Sequence, residues 1–167
     1  MDRAAWAAAL PKSVASGSLL CADAAGRTLL VRQSYRGTDT TVWGVPGGGL
    51  EEGESPAQGA RRETLEEIGL DIVPGRLLML DWRSRDGARP PLAQYLFDGG
   101  TLSDEDIARI RLQEKEIAEY GFFDLDAARE RLAPHTFERL TRALAVRDGR
   151  EALQDLEEGV PRPGGAA

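Results

Sequence analysis

Three glutamates within five residues, Glu63, Glu66 and Glu67, constrain this chain more than any other feature. On a helix of 3.6 residues per turn, positions i, i+3 and i+4 share a face, so the three carboxylates form one patch with nothing basic inside it. Like charges at this spacing repel by about 0.2–0.5 kcal/mol per pair. An opposite charge from outside the chain would offset that, and a hard divalent cation with oxygen ligands matches the donors. The helix carrying the patch has clear ends. Ser55 is a favoured N-cap, Pro56 suits the first helical position, and Gln58 completes a capping box. Gly69 suits the left-handed residue just past the end, so the spacing predicts a helix running to about Ile68. Ala57, Ala60, Thr64 and Ile68 fall on one small, apolar stripe that can lie against a sheet. The glutamates then face an open cleft. Arg62, four residues before Glu66, can hold that carboxylate by a forked hydrogen bond. Upstream, Gly47-Gly48-Gly49 lets backbone come close to a ligand. The competing reading is a solvated Glu-rich helix face, and spacing decides against it.

The stretch fits G-x5-E-x7-R-E-U-x-E-E-x-G-U, with Gly48, Glu54, Arg62, Glu63, Thr64, Glu66, Glu67, Gly69 and Leu70 in the defined places. It resembles the Nudix box, the signature of hydrolases that cleave nucleoside diphosphates linked to another moiety. Thr64 stands where the family usually has an aliphatic residue, and it is close to Val in size. The resemblance implies an α/β Nudix fold, a mixed β-sheet sandwiched between α-helices. It also implies magnesium, with manganese as the alternative, held by Glu63, Glu66, Glu67 and the backbone carbonyl of Gly47. Such a protein hydrolyses the pyrophosphate bond of an NDP-X or NTP substrate. The rival is a non-catalytic Nudix-fold protein that senses a nucleotide. That reading would fit replaced glutamates, and here Arg62, Glu63, Glu66 and Glu67 are all present.

At 167 residues the chain is long enough for one domain with a real core. The expected division is an N-terminal extension over 1–12, a Nudix domain over 13–147, and a partly disordered tail over 148–167. A net charge of −7 argues against a broad footprint on polymeric nucleic acid, while leaving small nucleotide substrates open. Cys21 is the only cysteine and His135 the only histidine, so no zinc-type ligand set exists. Cys21 reads as a buried small hydrophobe and His135 as a surface or capping residue at a helix start. The short apolar run near the N-terminus, cut by Pro11, suits neither a membrane span nor a signal peptide. A cytoplasmic location is expected, and a homodimer stays open.

Along the chain, residues 3–10 suggest a short helix packing Trp6 and Leu10 on the body. Strands are expected over 13–21 and 27–33, joined by a turn at Asp23-Ala24-Ala25-Gly26, and over 42–45, within 72–85, over 91–97 and over 116–123. Residues 34–41 and 98–105 read as loops. Helices are expected over 124–131 and 136–147, the second with Phe137, Leu140, Leu144 and Val146 toward the core. Arg32 and Arg36, with Tyr35, could reach a substrate phosphate or base, and Gly48 could approach it through its backbone. A further acidic residue after the box is expected among Glu114, Glu116 and Glu119, of which Glu116 is favoured. Either Glu63 or Glu116 would serve as base. Glu54 is expected to support the helix N-terminus. Trp43, Tyr35, Trp82 and Phe97 are candidates for stacking on a base, each equally a core residue.

Overall fold

The computed structural model describes residues 2–34 and 43–162. Its elements follow the hydrophobic pattern closely. They are α1 (Arg3–Ala9), β1 (Val14–Ala22), β2 (Thr28–Gln33), β3 (Trp43–Gly44), β4 (Gly47–Gly49), α2 (Pro56–Ile68), β5 (Leu77–Arg83), β6 (Leu92–Thr101), α3 (Asp104–Ala108), β7 (Ile117–Phe123), α4 (Leu125–Arg131), α5 (Pro134–Arg147), β8 (Gln154–Glu157) and β9 (Val160–Pro161).

The strands form one mixed sheet in the order β3-β2-β1-β6-β5-β8-β9, with β4 also pairing β1 and β7 also pairing β2. β1 runs parallel to β6 and β5 parallel to β8, while the remaining pairs are antiparallel. Both faces are covered, which is why Leu19 to Ala22 of β1 and Leu29 to Val31 of β2 read as continuous apolar runs rather than alternating ones. On one face Leu19, Cys21, Leu29 and Val31 meet Ala60 and Ile68 of α2. On the other Leu20 and Leu30 meet Ala128 of α4 and Leu140, Ala143 and Val146 of α5. This is the expected α/β sandwich.

α2 lies very close to β1. An added Cβ at Gly17 would stand 2.2 Å from the carbonyl oxygen of Pro56 and 2.9 Å from the nitrogen of Ala60, so only a glycine lets helix and strand approach this far. Ser55 and Gln58 make both halves of the capping box, and Gly69 closes the helix in the left-handed conformation. The start and end signals were legible.

Four expectations need correction. β6 runs on through Asp98-Gly99-Gly100 to Thr101, because β1 offers it partners up to Ala22, and α3 follows where a loop was expected. Trp6 and Leu10 are 48% and 42% exposed, and α1 buries nothing. A seven-residue helix with small residues has little apolar area to offer. The third correction concerns the C-terminal segment. Residues 154–161 carry β8 and β9, with Leu156 fully buried and β8 docked along β5 from Met79 to Trp82. Gly and Pro nearby disguised a short strand whose partner lies about 75 residues back. Fourth, the strand expected over 42–45 ends at Gly44, and Val42 lies outside the described residues. Tyr35 and Arg36 lie outside the described residues.

Candidate active site

α2 presents Glu63, Glu66 and Glu67 as its spacing requires, but the three sit in different environments. Glu67 is only 4% exposed, where it accepts a 2.8 Å hydrogen bond from the backbone N–H of Gly47 through Oε2. Burial pushes its carboxyl up to about 8; the Gly47 hydrogen bond opposes the rise, and Glu63, Glu116 and Glu66 add to it. Glu63 is raised as well, by burial first, against Arg62 and with Glu66 and Glu116 adding. Glu116, just before β7, adds its negative charge to both shifts.

Gly48 is a glycine because of Glu63. A Cβ there would lie 2.5 Å from that carboxyl group. The close approach anticipated for the glycine run is made to a side chain of the box itself. Arg62 binds the patch together, in a way the i, i+4 spacing only half conveyed. Its Nη1 donates to Glu63 Oε1 at 2.9 Å and Glu66 Oε2 at 3.2 Å. Its fork, Nε and Nη2, meets the two oxygens of Glu54 at 2.8 and 3.1 Å, and Nη2 also donates to the Gly49 carbonyl at 2.9 Å. The forked partner is therefore Glu54, not Glu66, because the chain turns at Gly53 and brings Glu54 back over the helix. Glu54 also accepts from the N–H of Glu51. Arg62 and Glu54 both lie largely shielded, so the pair can hold one geometry.

Arg32 pairs with Glu119 across the β2–β7 ladder at 3.1 Å.

Among the described residues no three acidic, His or Cys side chains already converge into a metal-ligating cage. Arg62 draws Glu63 and Glu66, and Gly47 holds Glu67. The donor set nevertheless fits a hard cation. It consists of carboxylates, one of them buried with a raised pKa and three acidic neighbours, and proximity of this kind calls for a positive charge.

A cavity of about 620 Å³ opens on the α5 side of the sheet, and no residue of the box lines it. Ser18 and Val45 line it; Ser18 is paired with Gly47 across β1 and β4, so the cavity adjoins the backbone that holds Glu67. Trp43, Tyr95 and Gln94 form part of its wall, and Arg83, His135 and Arg139 another. Of these only Trp43 stood among the sequence candidates, and it is 8% exposed and packed edge-on against Phe123 at 5.2 Å. Trp82 is not part of that wall, and Phe97 packs into the α2-side core. Arg139 was hidden because it occupies one polar position on a helix read only for its apolar stripe.

The family model of the NUDIX domain matches residues 11–144. An RNA pyrophosphohydrolase of Brucella ovis is 37% identical over 62 residues, which are 37% of this chain and 35% of that protein. The chain thus spans about a third of the length of that curated relative. Among solved structures, a MutT protein from Methanosarcina mazei Go1 superposes with a TM-score of 0.67 at 25% identity, covering 84% of this chain and 98% of the other. An Ap4A hydrolase from C. elegans, 21% identical, superposes with a TM-score of 0.64 over 81% of this chain and 98% of that one, and shares the fold.

Proposed function

The chain belongs to the NUDIX family, and on that premise we propose that it hydrolyses the pyrophosphate bond of a nucleoside diphosphate linked to another moiety, with magnesium or manganese as cofactor. The observation that carries this reading is the buried Glu67 carboxyl, tied to the Gly47 backbone and pushed up by burial, with the negative charges of Glu63, Glu116 and Glu66 adding to the rise. No role in packing explains gathering three further acids around a buried carboxyl group.

Glu63, Glu66 and Glu67 would hold the cation, with the Gly47 carbonyl beside them. When bound it supplies positive charge against the pyrophosphate oxygens and a site for water. The chain's own residues do the rest. Glu63 or Glu116 takes the proton of the attacking water, since the Glu63 carboxyl is raised by burial and the charge of Glu116 adds to that rise. Arg62, fixed by Glu54 and the Gly49 carbonyl, positions Glu63 and Glu66. The glycine run keeps the backbone near the reacting bond. Two phosphorylated products follow, or a monophosphate and a phosphate anion.

The name of the Brucella relative brings RNA ends into the substrate set, although a net charge of −7 disfavours a long nucleic-acid footprint. The test is phosphate release, coupled to alkaline phosphatase, from nucleoside diphosphate derivatives, dNTPs, dinucleoside polyphosphates and a 5′-triphosphorylated oligoribonucleotide. Magnesium-dependent turnover abolished by EDTA is expected. Nucleotide binding by thermal shift with no turnover across the panel would establish the sensor reading instead.

A further inference from the structure

The cavity on the α5 side of the sheet has a wall whose chemistry the hydrolytic residues do not use. Arg139 reaches it from the second turn of α5, with a side chain only 11% exposed. Its Nε donates to the His135 carbonyl at 3.3 Å, and its Nη1 donates to Gln94 Oε1 and stands 3.5 Å from Asp81 Oδ2. Its Nη2 has no acceptor among the described residues. Such a guanidinium is fixed on two edges and open on the third.

Two further features raise the positive potential there. Arg83 lines the same cavity and makes no ion pair among the described residues. The start of α5 also borders it, through Ala133, His135 and Thr136, and Ala133 caps that start with no side-chain hydrogen bond. An uncapped N-terminus of a 14-residue helix presents the positive end of the macrodipole.

No acidic residue lines the cavity among the described residues. Asp81 lies behind Arg139, fully buried, with Oδ1 accepting from the Gly159 N–H at 2.9 Å and Oδ2 without a hydrogen bond. It orients Arg139 and, together with Glu158, offsets its charge from outside the cavity wall, which leaves Arg83 and the helix end as the positive groups on the wall itself. The crowding shows in the titration of the cluster: Arg139 and His135 are both pushed toward their neutral forms, by burial first and with Arg83 adding to each.

We propose that this cavity is an anion subsite, which takes a phosphate or carboxylate carried by the organic half of the substrate, between Arg139 Nη2, Arg83 and the start of α5. The assignment of that anion to a substrate rests on the hydrolase reading above; the subsite itself does not. It narrows the substrate class to anhydrides whose organic moiety bears an oxyanion beyond the pyrophosphate.

The test uses matched probes differing by one charged group: NADPH against NADH, coenzyme A against dephospho-coenzyme A, and UDP-glucuronate against UDP-glucose. Binding is measured by calorimetry in EDTA, and kcat/KM with magnesium. At least one charged member should bind about 10-fold tighter than its partner, the worth of one charge-assisted hydrogen bond. The preference should weaken as salt rises. Arg139→Gln and Arg83→Gln should each lower affinity for the charged member by a larger factor than for its partner. Should Arg139→Gln unfold because Asp81 is stripped of its cation, Arg83→Gln decides alone. Equal binding within all three pairs, or a preference that survives Arg83→Gln, overturns the proposal. The pair that responds tells phosphate from carboxylate. Selective binding without any turnover removes the hydrolase reading and keeps the subsite; turnover without selectivity does the reverse.

Discussion

At the scale of single residues, Glu67 carries the most information. Its carboxyl titrates at about 8 in the folded chain against an ordinary value of 4.5, so between those pH values the folded state holds a proton that the unfolded chain has released. Stability of the metal-free protein should therefore be highest at the acid end of this window and fall as pH rises from about 4.5 to about 8. The loss is on the order of 5 kcal/mol at most, at roughly 1.4 kcal/mol for each of the ~3.5 pH units the window spans. Urea titrations at about pH 5 and about pH 8 check this, with magnesium expected to restore stability at the higher pH and Glu67→Gln to flatten the dependence. A slope of the opposite sign would mean that Glu67 is ionised and paired with a cation. In activity, Glu67→Gln or Glu63→Gln should reduce kcat at least ~100-fold, the usual worth of a charge-stabilising group, while the fold survives. A fall in melting temperature without magnesium, parallel to the activity loss, would point to a structural role. For the base, the pH–rate profile separates the candidates. The variant, Glu63→Gln or Glu116→Gln, that removes the acid limb identifies the group that accepts the proton.

At the scale of elements, α2 depends on its distance from β1 and β4. Gly17→Ala should destabilise by about 2 kcal/mol, since the new methyl meets backbone at 2.2 Å and the helix must shift. Because that shift moves Glu67 relative to Gly47, turnover should fall by more than stability does, as measured at a temperature where the variant is fully folded. The ends of α2 were readable because capping chemistry is local: Ser55, Gln58 and Gly69 act within four residues of themselves. The partner of Arg62 was not, because Glu54 lies eight residues away and reaches it only after the turn at Gly53. The same reason hid α3, whose preceding strand is stretched through a Gly-Gly pair by the ladder to β1.

At the scale of the whole molecule, the two terminal segments differ in a way their compositions did not announce. The helix within residues 2–12 buries nothing, so removing that segment should change unfolding free energy by less than ~1 kcal/mol. Removing 153–162 along with the residues beyond them should cost more than ~3 kcal/mol, because it uncovers the β5 edge, deletes the buried Leu156 and takes the Gly159 N–H from Asp81. Chemical denaturation of both truncations measures the contrast. No helix among the described residues is long and apolar enough to cross a membrane. The sequence by itself determined the helix, its ends, the face that gathers Glu63, Glu66 and Glu67, and the alternation of strands around it, because these depend on residue periods and caps acting over one or two turns. Tertiary structure alone decided that Glu67 is buried against Gly47, that Glu54 and not Glu66 receives the fork of Arg62, and that Arg32 is paired to Glu119. It also brought Arg83, Gln94 and Arg139 to one cavity from β5, β6 and α5. Those outcomes depend on which distant strands pair, and a side chain's burial and charge environment are properties of its neighbours in space, which no local period encodes.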